Sequence, residues 1–397
     1  MTTGWRTTTL GEVADIVSGA TPKTSVKEYW DGGIPWATPK DLSELAGRTI
    51  DATHRTLSED GLRSCAATVL PANSVLLSSR APIGHVAINT VPMATNQGFK
   101  SLVPDPAALE SKFLYWWLRW KRPLLESLGN GATFKEISKK VTQAVEIELP
   151  PIEEQRRIAA VLDEADALRT KRRQALAKLD ALTQAVFIDM FGDPAPTWPL
   201  LPIEAIAAEE SGSIRTGPFG SQLLHEEFVD EGVAVLGIDN AVQNRFSWGG
   251  RRFITPEKFA QLRRYQVFPG DVLVTIMATC GRTAIVPDDI GTAINTKHLC
   301  CITVARDRCL PEYLWGCLRF HPSVLHQLGA THGAVMPGLN MGRIRAAEIP
   351  VPPLEFQQQF ADRKAAVERS MSSSQTSSDE LDRLFSSLQQ RAFRGEL

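Results

Sequence analysis

The sequence predicts a mixed α/β (α+β) chain in which two similar globular domains are separated by two long antiparallel helices. Those helices would form a coiled coil, and the molecule would be pseudo-two-fold symmetric. Three observations lead there. IELPPIEEQ at Ile147–Gln155 returns 202 residues later as IPVPPLEFQ at Ile349–Gln357. FLYWWLRW at Phe113–Trp120 returns as YLWGCLRF at Tyr313–Phe320, and VLPANSVLLSSRAPIGHVAI at Val69–Ile88 returns as VFPGDVLVTIMATCGRTAIV at Val267–Val286. Each copy of the double-proline motif opens a glycine-poor segment, the first long enough for a helical rod of roughly 60 Å.

The first domain is expected at residues 1–150. It alternates short β-like runs (SVLLSS at Ser74–Ser79, HVAINTV at His85–Val91) with Gly and Pro turns, and ends in a Trp-rich helical stretch, Glu110–Leu128. Trp116, Trp117 and Trp120 at helical spacing read as core or interface residues.

Residues 151–193 form the first long helix. Pro150 and Pro151 impose an extended approach and suit the first helical positions. Beyond them Ile158, Val161, Ala165, Leu168, Ala175, Leu179, Leu182 and Val186 recur at alternating spacings of three and four, with Arg172 as the polar exception. Gly192-Asp193-Pro194 is the expected stop.

Residues 194–350 repeat the mixed pattern, with DVLVTIM (Asp271–Met277) and TAIVP (Thr283–Pro287) as strands and Leu310–Leu328 as the matching helix. Residues 351–397 form the second long helix. Shifting the first seam by 202 gives Phe360, Arg363, Val367, Ser370, Ser377, Leu381, Leu384 and Leu388. The stretch SMSSSQTSSDE (Ser370–Glu380) reads alone as a linker. Between two apolar heptad fragments it reads as a weakly packed helical middle.

The net charge is −2, so nucleic-acid binding would have to rest on how charge is arranged and not on its total. No apolar run reaches membrane-spanning length and the N-terminus carries no secretion signal, so a cytoplasmic protein without membrane contact is expected. The six cysteines include no CxxC pair, which points to reduced thiols and against a zinc site.

A search for chemistry finds no catalytic or metal-binding constellation. There is no phosphate-binding loop, no GxSxG, no HExxH and no stretch suited to a flipped adenine or a methyl donor. Other residues suit contact with DNA. GNGATFKEISKK (Gly129–Lys140) and GATHGAVMPGLN (Gly329–Asn340) are matched loops able to bring backbone amides to phosphates. Arg80, Asn96, Gln97, Lys100, Thr133 and Lys135 in the first domain are side chains that can read base edges or phosphates; so are Arg215, Arg282, Asn295, Lys297 and His298 in the second. Plain structural roles, such as turn capping by Asn96, remain open for each. So do two wider alternatives, a nuclease with an unrecognised active site and a duplicated protein-binding adaptor.

The half-modules, with IPWATPKDL, SVLLSSRAPIGHVAI, ATNQGFKSL, GATFKEI and LPPIEEQRRIAAVLD in order, resemble the specificity subunit of type I restriction–modification systems. The second copy is looser: Glu154 becomes Phe356 and TFKEI becomes AVMPG. The resemblance implies two target recognition domains, each reading half of a split sequence in double-stranded DNA, with the paired helices setting the gap. It implies a non-catalytic subunit that binds no cofactor itself. Two methyltransferase subunits would dock at Pro150, Pro151, Ile152 and Pro352, Pro353, Leu354, and modify adenine with S-adenosylmethionine. A restriction and translocase subunit would use ATP and Mg.

Overall fold

The computed structural model describes residues 4–80, 82–130, 135–192, 198–329 and 339–397. Its packing divides the chain into two compact units, Met1–Arg173 with Ser377–Leu397, and Gln174–Thr376. Both dividing points fall inside long helices, Ile152–Phe191 and Leu354–Ala392. Each unit therefore contains one globular domain and a part of both helices.

In the first unit, Arg6–Thr9 pairs antiparallel with Glu146–Leu149 at the foot of the first long helix. A five-stranded sheet runs in the order Ala14–Ser18, Lys100–Pro104, Val75–Leu77, Val86–Asn89, Thr49–Ile50. Val75, Leu76 and Leu77 are all buried, as a continuous apolar run in a central strand should be. A second, smaller sheet pairs Trp30–Ala37 in parallel with Ala94–Thr95.

The second unit repeats this plan. Leu200–Pro202 pairs with Glu348–Pro350. One sheet runs Ile214–Thr216, Leu299–Ile302, Val272–Thr275, Thr283–Ile285, and the other pairs Val233–Leu236 in parallel with Ala293–Asn295.

Each of the two expected helices, Glu110–Leu128 and Leu310–Leu328, is in fact two. Ser111–Trp120 is followed by Arg122–Leu128, and Pro311–Phe320 by Pro322–Gln327. Pro123 and Pro322 cause the breaks, since each lacks an N–H and crowds the preceding turn. Trp116 and Trp117 lie in the core, and Trp120 stacks on Phe393 at 5.1 Å. All six cysteines are free thiols, and burial pushes Cys300 and Cys309 up to about 12.

The long helices need one correction. On the first helix Ile158 is buried, and Val161, Ala165, Leu179 and Val186 are half-buried. Leu168 and Leu182, however, are 52% and 45% exposed. In place of Val161, Leu168, Ala175 and Leu182 the inward positions are Leu162, Arg169, Leu176 and Thr183, one residue later than expected. The expected register failed because Arg169 and Thr183 are polar residues on the inner face while Leu168 and Leu182 are apolar residues on the outer one.

On the second helix Phe360 and Val367 are buried, Leu381 and Leu388 half-buried, and Leu384 is 65% exposed and so lies off the seam. The buried residues are Gln357, Phe360, Lys364, Val367, Ser378, Phe385 and Ala392. Shifted back by 202 these are positions 155, 158, 162, 165, 176, 183 and 190, each buried or half-buried on the first helix. The serine-rich middle is continuous helix.

In the first unit the two helices run antiparallel. Arg157 donates to the Leu397 carbonyl at 3.1 Å, and the later residue Arg169 reaches the earlier residue Asp382 at 2.6 Å. In the second unit Phe187 and Phe191 of one helix meet Phe360 of the other at 5.3 and 5.8 Å.

Candidate nucleic-acid interface

Two loops make the site in each unit, and their backbones follow one plan. In the first unit the hairpin between Val75–Leu77 and Val86–Asn89 closes on Ser78. Its N–H donates to the His85 carbonyl at 2.9 Å, its hydroxyl donates to the Pro82 carbonyl at 2.7 Å, and it accepts from His85 N–H at 2.8 Å. In the second unit Thr275 does the same work. Its N–H donates to the Arg282 carbonyl at 2.8 Å, and its hydroxyl donates to the Thr279 carbonyl and accepts from Arg282 N–H at 2.9 Å. Gly84 and Gly281 occupy the same point of the loop with φ of 90° and 82°, a backbone region open to glycine at little cost.

The second loop is the turn after the parallel strand. Phe99 N–H donates to Asn96 O at 3.2 Å, and Leu299 N–H to Thr296 O at 3.0 Å. Hairpin and turn are tied together by Ser79 N–H to Gly98 O at 2.7 Å, and by Ile276 N–H to His298 O at 2.9 Å. A third strand end presses against each turn. A Cβ added to Gly19 would lie 2.0 Å from Asn96 O, and one added to Gly217 would lie 1.9 Å from Asn295 O.

This frame places unlike side chains at like positions. Arg80 corresponds to Met277, Asn96 to Thr296, Gln97 to Lys297, Gly98 to His298 and Lys100 to Cys300. The frame also shows that Asn295 corresponds to Thr95 and not to Asn96, because the repeat is offset by 200 here and by 197 in the hairpin.

In the first unit, Arg80, Asn96, Gln97 and Lys100 come together. The Arg80 side chain is 34% exposed, with its guanidinium 3.7 Å from Glu136. Gln97 is exposed and its Oε1 accepts from the Thr21 hydroxyl. Asn96 is half-buried, and its Oδ1 accepts from Gly98 N–H at 2.9 Å, so that oxygen caps the turn. Lys135 is exposed, and Thr133 lies outside the described residues.

Lys100 does not reach a surface: it is buried, with its ammonium 3.0 Å from Glu136 and 3.5 Å from the Ser79 hydroxyl. A buried lysine is held by such pairing. It ties the turn to the segment after residue 134 and cannot read a base.

In the second unit Arg282 is exposed, and Lys297 and His298 are half-buried. Burial, with the neighbouring Lys297 and Arg252 cations, holds His298 below the usual imidazole range. It therefore acts near neutral pH as an uncharged donor and acceptor.

Two expected readers are internal. Asn295 is wholly buried and its amide donates to the Leu299 carbonyl at 2.9 Å. Arg215 lies 2.6 Å from the buried Asp271 carboxylate and donates to the Gln266 carbonyl. Two residues that the sequence reading did not name lie at the loops instead. Met277 is exposed and replaces Arg80 on the hairpin, and Arg252 sits beside His298, paired with Asp239. Aligning the repeats on Ser78/Thr275 and Gly84/Gly281 would have found Met277. Residues 330–338, including His332 and most of the second matched loop, lie outside the described residues.

At the motif junctions Pro150 and Pro352 are buried, Ile152 is half-buried, and Pro151, Pro353 and Leu354 are exposed. Phe356, the second copy's replacement for Glu154, is also exposed.

These features define a duplicated-module protein, with a constant backbone frame presenting variable side chains beside paired helices. The chain belongs to the type I restriction modification DNA specificity family, whose domain model matches residues 2–179 and 230–383. It is 35% identical over 194 residues to the MjaIX specificity subunit of Methanocaldococcus jannaschii, covering 48% of this chain and 45% of that protein. It is 30% identical over 188 residues to the EcoR124I/EcoR124II specificity subunit of Escherichia coli, covering 45% of each. The chain thus spans about half the length of these curated relatives.

The fold is shared with two solved structures. One is the S subunit of a type I restriction–modification system from M. genitalium (TM-score 0.57, 13% identity, 98% of this chain and 96% of that one). The other is a chain from work on complex assembly and conformational transition of the type I R-M system (TM-score 0.63, 19% identity, 100% and 99%).

Proposed function

We propose that this chain is the sequence-specific DNA recognition subunit of a type I restriction–modification complex. It reads a bipartite target in double-stranded DNA and positions adenine-N6 methyltransferase and restriction subunits, without catalysing a reaction itself. One observation carries the reading. The same hairpin-and-turn frame occurs in both units with different side chains at its tips, which is what two modules for two different half-sites require. Gln97 and Arg80 would act on the first half-site, and Arg282, Lys297, His298 and Met277 on the second. Side-chain amides and guanidinium groups read purine edges, and a thioether can contact a thymine methyl.

The exposed residues Pro151, Pro353, Leu354 and Phe356, with Leu168 and Leu182 on the outer face of the first helix, are where two methyltransferase subunits would dock. S-adenosylmethionine, ATP and Mg would be bound by the partner subunits, and the complex would work in the cytoplasm. No described helix is long and apolar enough to cross a membrane. Among the described residues no group of three or more His, Cys, Asp or Glu side chains could hold a metal ion.

The test is the methylome of a host with and without this gene. One split motif should depend on it. Gln97→Ala or Arg80→Ala should cost about 1–3 kcal/mol of discrimination at bases in one half of that motif and leave the other half unchanged. Absence of any gene-dependent motif would overturn the reading, and a variant with unchanged discrimination would remove its residue from the interface.

A further inference from the structure

We propose that Gln155 and Gln357 are positioning residues that lock each recognition domain onto its long helix in one orientation, and so hold the gap between half-sites to a single length. The inference rests on the DNA-reading function above and adds a specificity determinant to it.

Both side chains are wholly buried, and they make the same three hydrogen bonds. Gln155 Oε1 accepts from Glu110 N–H at 2.9 Å, and its Nε2 donates to the carbonyls of Ala108 and Pro150, both at 2.9 Å. Gln357 Oε1 accepts from Leu310 N–H at 2.8 Å, and its Nε2 donates to the carbonyls of Arg308 at 3.1 Å and Pro352 at 2.8 Å. In each unit one amide joins three segments: the first turn of the long helix, the proline turn that leads into it, and the loop that starts the globular domain's own helix.

The other contacts of this junction are either non-directional or not shared by the two copies. In the first unit Asp163, two turns on from Gln155, accepts from Trp116 Nε1 at 2.8 Å and pairs with Arg48 at 2.6 Å, whereas the second copy has Ala365 there and Lys364 over the Trp315 ring. Ile158 and Phe360, one turn on from the glutamines, are buried in the domain cores. Such apolar contact stabilises without direction and tolerates small rotations. The ion pairs Arg156–Glu153 and Arg157–Glu154 are largely exposed, so they contribute little. They are also absent from the second copy, which has Gln358 and Gln359 in place of the arginines.

Three directional bonds fix both the rotation and the tilt of the helix on its domain. Only a side-chain amide supplies two donors and an acceptor at this reach, since a carboxylate has no donor for the two carbonyls. A rotation of either domain on its helix would displace that domain's reading loops along the duplex, which is how the joint bears on the gap.

The experiment uses the full chain, purified with its methyltransferase partners, on duplexes whose half-sites are separated by the cognate gap or by one base pair more or less. The wild-type complex should methylate only the cognate gap. Gln155→Met and Gln357→Met, each shown to be folded by thermal unfolding, should lose up to about ten-fold of that gap discrimination, the reach of one net hydrogen bond. Base preferences within each half-site should not change. Folded variants that keep the wild-type gap discrimination would overturn the proposal.

If the Met variants do not fold, Gln155→Glu decides. Its protonated acid can donate to one carbonyl and its ionised form to none, so gap discrimination should improve as pH falls from 8 to 6. A pH-independent gap discrimination in that variant would equally overturn the joint. A wild-type complex that methylates no split target would instead overturn the DNA-reading function, and the joint with it.

Discussion

Arg215 donates to the Gln266 carbonyl at 2.6 Å, to the Gly212 carbonyl at 3.1 Å and to the Thr303 hydroxyl at 3.0 Å, and pairs with Asp271 at 2.6 Å. Asp271 in turn accepts from Phe268 N–H, the Thr303 hydroxyl and the Cys301 thiol. The Asp271 side chain is almost wholly enclosed, so removing its cation strands a buried charge. Arg215→Met should therefore destabilise the second unit by about 3–5 kcal/mol, measured by denaturant unfolding, and leave both half-site preferences unchanged. The first unit shows how to relieve the defect, because it has Val17 and Ser74 at the equivalent positions. The double variant Arg215→Val with Asp271→Ser should regain most of the loss. Residue type alone could nominate arginine, lysine and asparagine as readers, but it could not show that Arg215, Lys100 and Asn295 are held inside the fold. That distinction depends on Asp271, on Glu136 and on a carbonyl four residues away. Gln97 and Arg282 are exposed on their loops and Arg80 is half-buried beside Glu136, so position in a loop was enough to place these three near the surface.

Along the first long helix, neighbouring residues make opposite use of their chemistry. Leu168 faces outward, whereas Arg169 lies over the Phe385 ring at 4.1 Å and reaches Asp382 at 2.6 Å and Asp166 at 3.0 Å. An arginine can serve as a seam residue because its stem and flat face pack on an aromatic ring while its edge stays paired. Leu168→Ala should thus change stability by no more than about 0.5 kcal/mol, while Arg169→Ala, which uncovers Phe385, should cost more. The hydrogen bond from Arg169 holds the Asp382 carboxyl below the usual carboxylate range. Because the folded value is the lower one, this contribution is present above the ordinary carboxylate range and fades as pH falls through the folded value. Arg169→Ala should flatten that part of the acid limb in thermal unfolding at graded pH. Existence, length and phase repeat of both helices were readable from spacing and from the glycine-proline punctuation. The seam register was not, since an apolarity count ranks Leu168 above Arg169 and cannot see which side Phe385 is on.

At the scale of the whole chain, the internal repeat turns a structural regularity into a length. Each buried position of the second helix falls, shifted back by 202, on a buried or half-buried position of the first, so a heptad can be removed from both without disturbing either inner face. Residues 171–177 and 373–379 are such a pair, and they contain the points where the chain divides into its units. Their joint deletion keeps each globular domain, its double-proline junction and its buried glutamine intact. It shortens each helix by about 10 Å at about 1.5 Å per residue. If the helices set the distance between the reading modules, the methylome motif should keep both half-sites and lose up to about three base pairs of gap, at about 3.4 Å each. Deleting only one of the two segments leaves that helix a heptad shorter than its partner, so the pairing cannot keep its register at both ends, and should cost folding stability and not yield a shorter gap. An unchanged gap in the folded double deletion would show that something other than helix length measures the DNA, and the recognition loops themselves would become the next place to look.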